Sequence, residues 1–539
     1  MSSFNEIIIP PPGIQKDKTA YSSPFCTDGV WNRFYEGVAM SMLGYKSIDL
    51  GNNVIVRSMF NLPVSSGNKV YTGRYNSVEC LDINTDGVVV SKQDITPSSF
   101  TPVPNISWSF TSFSNTVASG EFEEGETYLV ALDTKSAFNV QNDDLGILYA
   151  SNPETGSPLI PIRRSPLPDA LPVVATGGVV SVAPIMLVYG RGGSIQWCFP
   201  GQINNWTSGQ TEFTQYNTAT IADTKIIKAF PTPGASDPTV LFWSLDQVVR
   251  ATWIRDDPET AGSWIPQVIQ PHSSLMSSNA VVPYNQEFYW VGTSQFYRYN
   301  GVVQPLPNNM NSQFFFDYIH KNARGKVWGI ANPRFQEIWF FFPKKTNRND
   351  ADDADAECNH AIIYNVELNT FYDTPVTRSS GIEPSSFEYP IWAESDLTPI
   401  PTLAGLDYGY PLWQHEYGED RILDVNGTSY TSPIEKSVTF PIMTAFETAP
   451  DNNRFLKPQR LELDLVQQGD MTVEIACRKW ARGQPIVRGP YTFTSDTEYV
   501  DDIYSQGRLI NFKFTSNTPG GFYQFGKLTM DYKLGSVVP

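Results

Sequence analysis

The side chains able to do chemistry are few and widely spaced. Four histidines occur, His272, His320, His360 and His415. His415-Glu416 is not followed by a second histidine at the next helical turn, so the zinc-protease signature is missing. Cys358-Asn-His360 sets a thiol near an imidazole, but one such pair does not complete a tetrahedral zinc shell. The chain has no Gly-x-Ser-x-Gly nucleophile turn and no Walker loop. Asp350-Ala-Asp-Asp-Ala-Asp-Ala-Glu357 offers hard oxygen ligands without the central glycine or the spacing of a calcium loop. Between two apolar runs it reads as a solvated hairpin tip. No catalytic residue, metal ligand or cofactor site is therefore expected, and the chain reads as a non-enzyme.

Nucleic-acid and sugar chemistry leave equally thin traces. Lys344, Lys345 and Arg348 precede the acidic run, and Arg163-Arg164 sits among prolines. Neither group forms a basic stripe with interleaved aromatics. With 38 Lys and Arg against 56 Asp and Glu, the net charge of −18 opposes tight binding to phosphate. Trp243, Trp290 and Trp339 fall inside apolar runs and read as packing between sheets. Trp206, in the turn-rich Gly201-Gln-Ile-Asn-Asn-Trp206, is expected at the surface as a partner- or subunit-contacting residue. Asn105, Asn205 and Asn426 begin Asn-x-Ser/Thr triplets, which matter only on an exported chain. The start, through Pro12, has no basic region and no long apolar core, so it does not read as an export signal. No apolar run approaches the roughly 18 residues of a spanning helix. Cys26, Cys80, Cys198, Cys358 and Cys477 are odd in number and dispersed, which points to free thiols.

These residues must be positioned by strands. The chain of 539 residues is 41% hydrophobic and only 17% charged, which excludes a disordered polymer. Its 13% aromatics, cut by 38 Gly and 41 Pro, indicate an all-β protein. Residues 1–30 read as an extended N-terminal arm. There Ile7, Ile8 and Ile9 run into Pro10, Pro11 and Pro12, residues suited to draping over a neighbouring subunit. Across 31–432 a meander recurs, clearest from Glu287 to Val302, where Asn300-Gly301 is a tight-turn signal and 292–295 a second connection. Asp86-Gly87 is another hairpin signal, and a short helix is expected within 311–322. Meanders repeating at blade length predict a β-propeller with inserted loops. Residues 433–539 alternate cleanly, as in 458–466 and 471–477, and predict a C-terminal β-sandwich.

The order of several motifs carries a family likeness. Gly193-Ser-Ile-Gln-Trp-Cys-Phe-Pro-Gly-Gln-Ile-Asn-Asn-Trp206 is followed by Val240-Leu-Phe-Trp-Ser-Leu-Asp-Gln-Val-Val249 and by the hairpin from Phe288 to Gly301. Then come Glu337-Ile-Trp-Phe-Phe-Phe-Pro343, Ile362-Ile-Tyr-Asn365 and Phe371-Tyr372. Trp413-Gln-His-Glu-Tyr-Gly418, Gly489-Pro-Tyr-Thr-Phe-Thr494, Gln506-Gly-Arg508 and Phe525-Gly526 complete the series. Over roughly 170–535 the chain resembles the tail nozzle or head-to-tail stabilisation (connector) proteins of short-tailed bacteriophages. The resemblance implies a structural virion protein of the short tail, assembled in the host cytoplasm as a homo-hexameric ring. It implies docking to a head-to-tail adaptor and portal complex and to tail fibres, spikes or a plug. It also implies transient contact with the viral double-stranded DNA that the ring retains and later releases. The alternative is a propeller-type glycan-binding or glycan-hydrolysing protein, carried on the virion or secreted. A hydrolase would need two carboxyl groups about 5 to 9 Å apart.

Overall fold

The computed structural model describes residues 3–98, 100–102, 107–118, 121–134, 146–162, 175–207, 217–232, 234–385, 387–402, 405–444 and 454–537. Asn105 and the Arg163-Arg164 pair lie outside them.

Short apolar runs joined by tight turns can only satisfy their backbone groups by pairing with their sequence neighbours, and they do so six times in succession. Six four-stranded antiparallel meanders, blades one to six, occupy 58–94, 107–161, 175–220, 226–271, 281–306 and 328–375. Blade seven combines Arg378–Ile382, Ile391–Glu394 and Leu412–His415 with a fourth strand, Tyr45–Asp49, taken from before blade one. Tyr45–Asp49 thereby ties the two ends of the propeller together. Its free edge pairs in parallel with Arg421–Val425, and Thr428–Ser432 completes a six-stranded sheet. Asn426, at φ +51, and Gly427, at φ +81, form the tight turn between those last two strands, the I′ geometry that suits a right-twisted hairpin.

Each blade's first strand faces the axis, and small hydroxyls stitch neighbouring blades together there. Ser379 and Ser380 donate to the Val56 carbonyl at 2.8 and 3.1 Å, joining blade seven to the lead-in of blade one. Ser58 and Ser107 share a 2.9 Å hydrogen bond, Ser109 accepts from the Val179 N–H, and Trp328 Nε1 donates to the Arg378 carbonyl. Among the described residues the circle closes with seven blades.

Blade five shows how sequence makes a blade. Val281–Tyr284, Glu287–Val291, Phe296–Tyr299 and Val303–Leu306 pair in order, with connections at the expected 292–295 and Asn300-Gly301. Gly301, at φ +104, adopts a backbone that a side chain would resist. Asn285 and Gln286 form a further tight turn at φ +49 and +65, which carries no glycine to announce it. Trp290 and Trp243 meet edge to face between blades four and five, their centroids 5.8 Å apart, and both are fully buried. Trp290→Ala is expected to cost about 3–5 kcal/mol, because the cavity cannot collapse between two rigid sheets. Denaturant melts would read this directly, and a wild-type midpoint would refute the packing role.

The second unit is a β-sandwich, and it corrects the expected arm. In one sheet the long strand Phe522–Val537 pairs with Arg454–Gln468 on one edge and with Ser3–Ile8 and Val38–Ser41 on the other, and Asn32–Tyr35 follows. The facing sheet runs Asp28–Val30, Lys436–Thr439, Leu509–Ser516, Met471–Arg478, Ile486–Phe493. Between them pack Ile475, Phe512, Phe514, Leu528, Met530 and Tyr532. Ser3–Ile8 is therefore a sandwich strand of the same chain, with Ile8 buried and Ile7 and Ile9 exposed by simple alternation. Beyond it Pro10 and Pro12 are half-buried and Pro11 is exposed. The Pro12 carbonyl accepts from Thr370 Oγ1 and the Ile14 N–H donates to the Phe371 carbonyl, so this stretch lies along blade six. The sandwich draws on residues before 42 as well as after 435, so the expected boundaries at 31 and 433 do not separate the two units. A strand edge pairs with whatever complementary edge reaches it, and here the edge belongs to the chain's own far end.

Candidate functional site

The seven axial strands enclose a channel cavity of about 650 Å3. Its wall mixes aromatic rings, among them Phe60, Phe110 and Phe230, with small polar groups from several blades. Among the described residues, three charged side chains line it: Arg57 beside blade one, Lys228 on blade four and Glu383 on blade seven. Arg57 is committed, its two terminal nitrogens donating to both oxygens of Glu357 at 2.6 and 2.7 Å. Glu357 also accepts from Lys326 at 2.8 Å. Burial pushes the Glu383 carboxyl up to about 7, against the Ala331 N–H that donates to it at 3.4 Å. Burial alone pulls the Lys228 amine down to about 8.

The sign of the Glu383 effect is testable. Its folded value lies above the ordinary 4.5, so its contribution favours folding most in acid and is lost as pH rises through about 7. Glu383→Gln, which removes the buried charge, should raise the melting temperature relative to wild type at pH 8 and leave it unchanged at pH 4. Parallel shifts at both pH values would refute this origin.

A second cluster of ionisable groups lies where the sandwich meets blades six and seven. Arg33, from Asn32–Tyr35, is fully buried, with its guanidinium 3.5 Å from the centre of the Phe335 ring. It donates to both oxygens of Glu337 at 3.0 and 3.1 Å and to both oxygens of Glu416 at 3.0 and 2.6 Å. Glu337 also accepts from Tyr372 Oη at 2.5 Å and Trp339 Nε1 at 2.9 Å, and Glu416 from Asn332 Nδ2 at 2.8 Å. Burial raises the Glu337 pKa and the Arg33 charge opposes it. Beside this lies Arg378, whose Nε donates to His415 Nε2 at 2.7 Å and whose Nη1 donates to Glu394 at 2.9 Å. Burial, then the Arg378 charge, hold His415 well below its ordinary pKa, so it is neutral and accepts. This carboxylate pair is sealed from solvent and saturated with donors. Its chemistry is that of a weld between three elements.

The histidines do not converge. His360 Nε2 pairs with the buried Asp373 at 2.9 Å, while Cys358 Sγ donates to the Lys326 carbonyl, so the adjacent thiol and imidazole point to different partners. His320 Nδ1 accepts from the Asp353 N–H, and His272 is exposed. Among the described residues no three His, Cys, Asp or Glu side chains gather as a metal shell. All five cysteines are buried and unpaired.

One surface expectation is corrected, and another holds with an added constraint. Trp206 is only 1% exposed, packed in a cluster with Phe113, Val188 and Cys198, and its Nε1 donates to the Ile203 carbonyl at 3.1 Å. The turn around it folds inward because the indole gains more by burial than the polar turn loses. The acidic run is solvated at its tip, but its ends are held: Asp352 pairs with Lys345 at 2.9 Å and accepts from the Lys321 N–H, and Glu357 clamps Arg57. Neither Arg33 nor Glu337 is marked as a site residue by any sequence motif; a lone arginine in Asn32-Arg-Phe-Tyr35 and a glutamate opening an aromatic strand are the available signals.

No protein-family model and no curated protein matches this chain. Solved structures resemble it distantly. A putative 6-phosphogluconolactonase from Bacteroides uniformis is 14% identical with a TM-score of 0.33, over 62% of this chain and 91% of that one. An ancestral GH74 enzyme is 14% identical with a TM-score of 0.39, over 73% of this chain and 51% of that one. BBS1N in complex with ARL6DN is 9% identical with a TM-score of 0.37, over 70% of this chain and 97% of that one. Likenesses this distant assign neither an activity nor a substrate to the chain.

Proposed function

We propose that this protein is a structural subunit of a short-tailed bacteriophage tail, a nozzle or connector that assembles as a ring of six copies. In this reading it helps retain packaged DNA, forms part of the ejection conduit and does no bond chemistry. The ordered motifs from Gly193 to Phe525 suggest the family. The observation that carries the reading is the weld at Arg33, which binds sandwich, blade six and blade seven through buried charges. A body built this way presents fixed surfaces to neighbours, which ring closure through heterologous contacts requires. An axial cavity of about 650 Å3 is of small-molecule size, so DNA would pass between subunits of the ring and not through the propeller. A net charge of −18 leaves few phosphate-holding contacts and suits sliding. Among the described residues no helix is long and apolar enough to cross a membrane. Adaptor, portal, fibres, spikes or plug would dock on the ring's faces, and the protein would reside in the virion.

The second reading, a glycan-binding or glycan-hydrolysing propeller, is favoured by the aromatic channel wall and by Glu383, whose carboxyl titrates near neutrality as a general acid would. Mass photometry with and without an adaptor ring separates the two. A particle near six times 60.3 kDa supports the conduit. A persistent monomer that cleaves host polysaccharide, and loses turnover in Glu383→Gln, would replace it with the second.

A further inference from the structure

The axial channel holds a cation that the fold leaves unused. Lys228 lies on Ile226–Pro231, the axial strand of blade four, and its side chain is half-buried in the channel wall. Its Nζ sits 4.9 Å from the centre of the Phe230 ring, and burial lowers its pKa, with no carboxylate balancing it among the described residues. The other ionisable groups of the lining are differently placed. Arg57 is clamped by Glu357, Glu383 accepts from a backbone N–H, and Tyr189 has its pKa raised by burial. An amine drawn partly out of water without a counter-ion is costly, and an arriving anion would offset that cost.

The surroundings narrow what that anion would be. Phe60 and Phe110 stack with centroids 6.4 Å apart, at a 26° interplanar angle, in the same cavity. A wall of ring faces and one ammonium with no carboxylate partner among the described residues match a molecule with an acid group and a flat or apolar body. The volume suits it, since pockets of about 300–1,000 Å3 hold ligands of this size. We propose that the axial channel binds a small organic acid, its acid group on Lys228 Nζ and its body against Phe230 and the Phe60–Phe110 pair.

The site is independent of the tail reading, because it needs no ring and no DNA. The test titrates the full-length chain by calorimetry with sodium benzoate, sodium glucuronate and inorganic phosphate, and with benzyl alcohol and glucose as neutral counterparts. Benzoate or glucuronate should bind saturably, one per chain, and more tightly than its neutral counterpart; which of the two wins tells an aromatic acid from a sugar acid. Lys228→Met should weaken that binding about tenfold or more, the worth of a charge-assisted hydrogen bond. Lys228→Arg should restore most of it, and Lys479→Met, at an exposed lysine, should leave it unchanged. Should Lys228→Met fail to fold, trinitrobenzenesulfonate labelling of wild-type Lys228, followed by peptide mass spectrometry, should be blocked by the organic acid. No saturable binding, binding by phosphate alone, equal affinity in Lys228→Met, or labelling that the acid does not block would each overturn the proposal.

Discussion

Arg33→Met is expected to remove about 3–5 kcal/mol of stability, the usual cost of leaving buried charges without their partner. The loss would be a large share of a typical folding free energy of about 5–15 kcal/mol. Two carboxylates, Glu337 and Glu416, share the guanidinium, and Glu337 is wholly enclosed. Methionine keeps an apolar side chain of similar length and removes the charge, its donors and the guanidinium that lies over Phe335. The pH dependence then identifies the cause. Burial already raises Glu337 above its ordinary pKa, and removing Arg33 raises it further. A carboxyl whose folded pKa is raised favours folding most in acid and loses that contribution as pH rises through the folded value. The deficit of Arg33→Met should therefore be largest at pH 8 and shrink towards pH 5. Adding Glu337→Gln and Glu416→Gln should recover part of it at pH 8. Urea melts at both pH values would show this, and a pH-independent deficit would mean that lost packing, not orphaned charge, is responsible.

Ser47→Pro should open the propeller. Ser47 is the middle residue of Tyr45–Asp49, the strand held between Leu412–His415 and Arg421–Val425. Proline would remove a backbone donor there and abolish the Ser47 Oγ acceptor used by the Asp424 N–H at 2.8 Å. In a strand interior this costs about 3 kcal/mol or more. The damage should be local at first. Hydrogen exchange should rise in 378–415, where His415 stacks on Tyr45 and Trp413 meets it edge to face, before it rises in blades three to five. Ser47→Ala, which deletes only the hydroxyl, should cost about 1 kcal/mol. Wild-type exchange protection of blade seven in Ser47→Pro would show that this strand is not the closure.

Much of the propeller was legible because its blades are local. Glu337–Phe342 and His360–Asn365 declare themselves as apolar runs, and each finds its partner next in sequence. The tryptophans read as packing between sheets are buried in the core. The short helix expected within 311–322 forms at Ser312–Tyr318. Val54-Ile-Val56, by contrast, is an apolar run of β-branched residues that forms no strand; it leads into blade one, where the Val56 carbonyl serves as acceptor for Ser379 and Ser380. Trp206 was misplaced because a turn-rich segment resembles surface until something large in it has a cavity to fill.

What the sequence determined by itself was the kind of element and its facing: period-two alternation and turn residues are properties of neighbouring amino acids, so Met471–Arg478 and blade five could be read directly. Only the tertiary structure decided which distant edges meet. Ser3–Ile8 joins a strand more than five hundred positions away, and Arg33 finds its carboxylates 304 and 383 residues later. The physical reason is that a strand edge exposes the same N–H and C=O groups whatever its sequence, and a guanidinium donates equally well to any carboxylate. Their partners are selected by shape and proximity once the propeller has closed, and no local pattern encodes them.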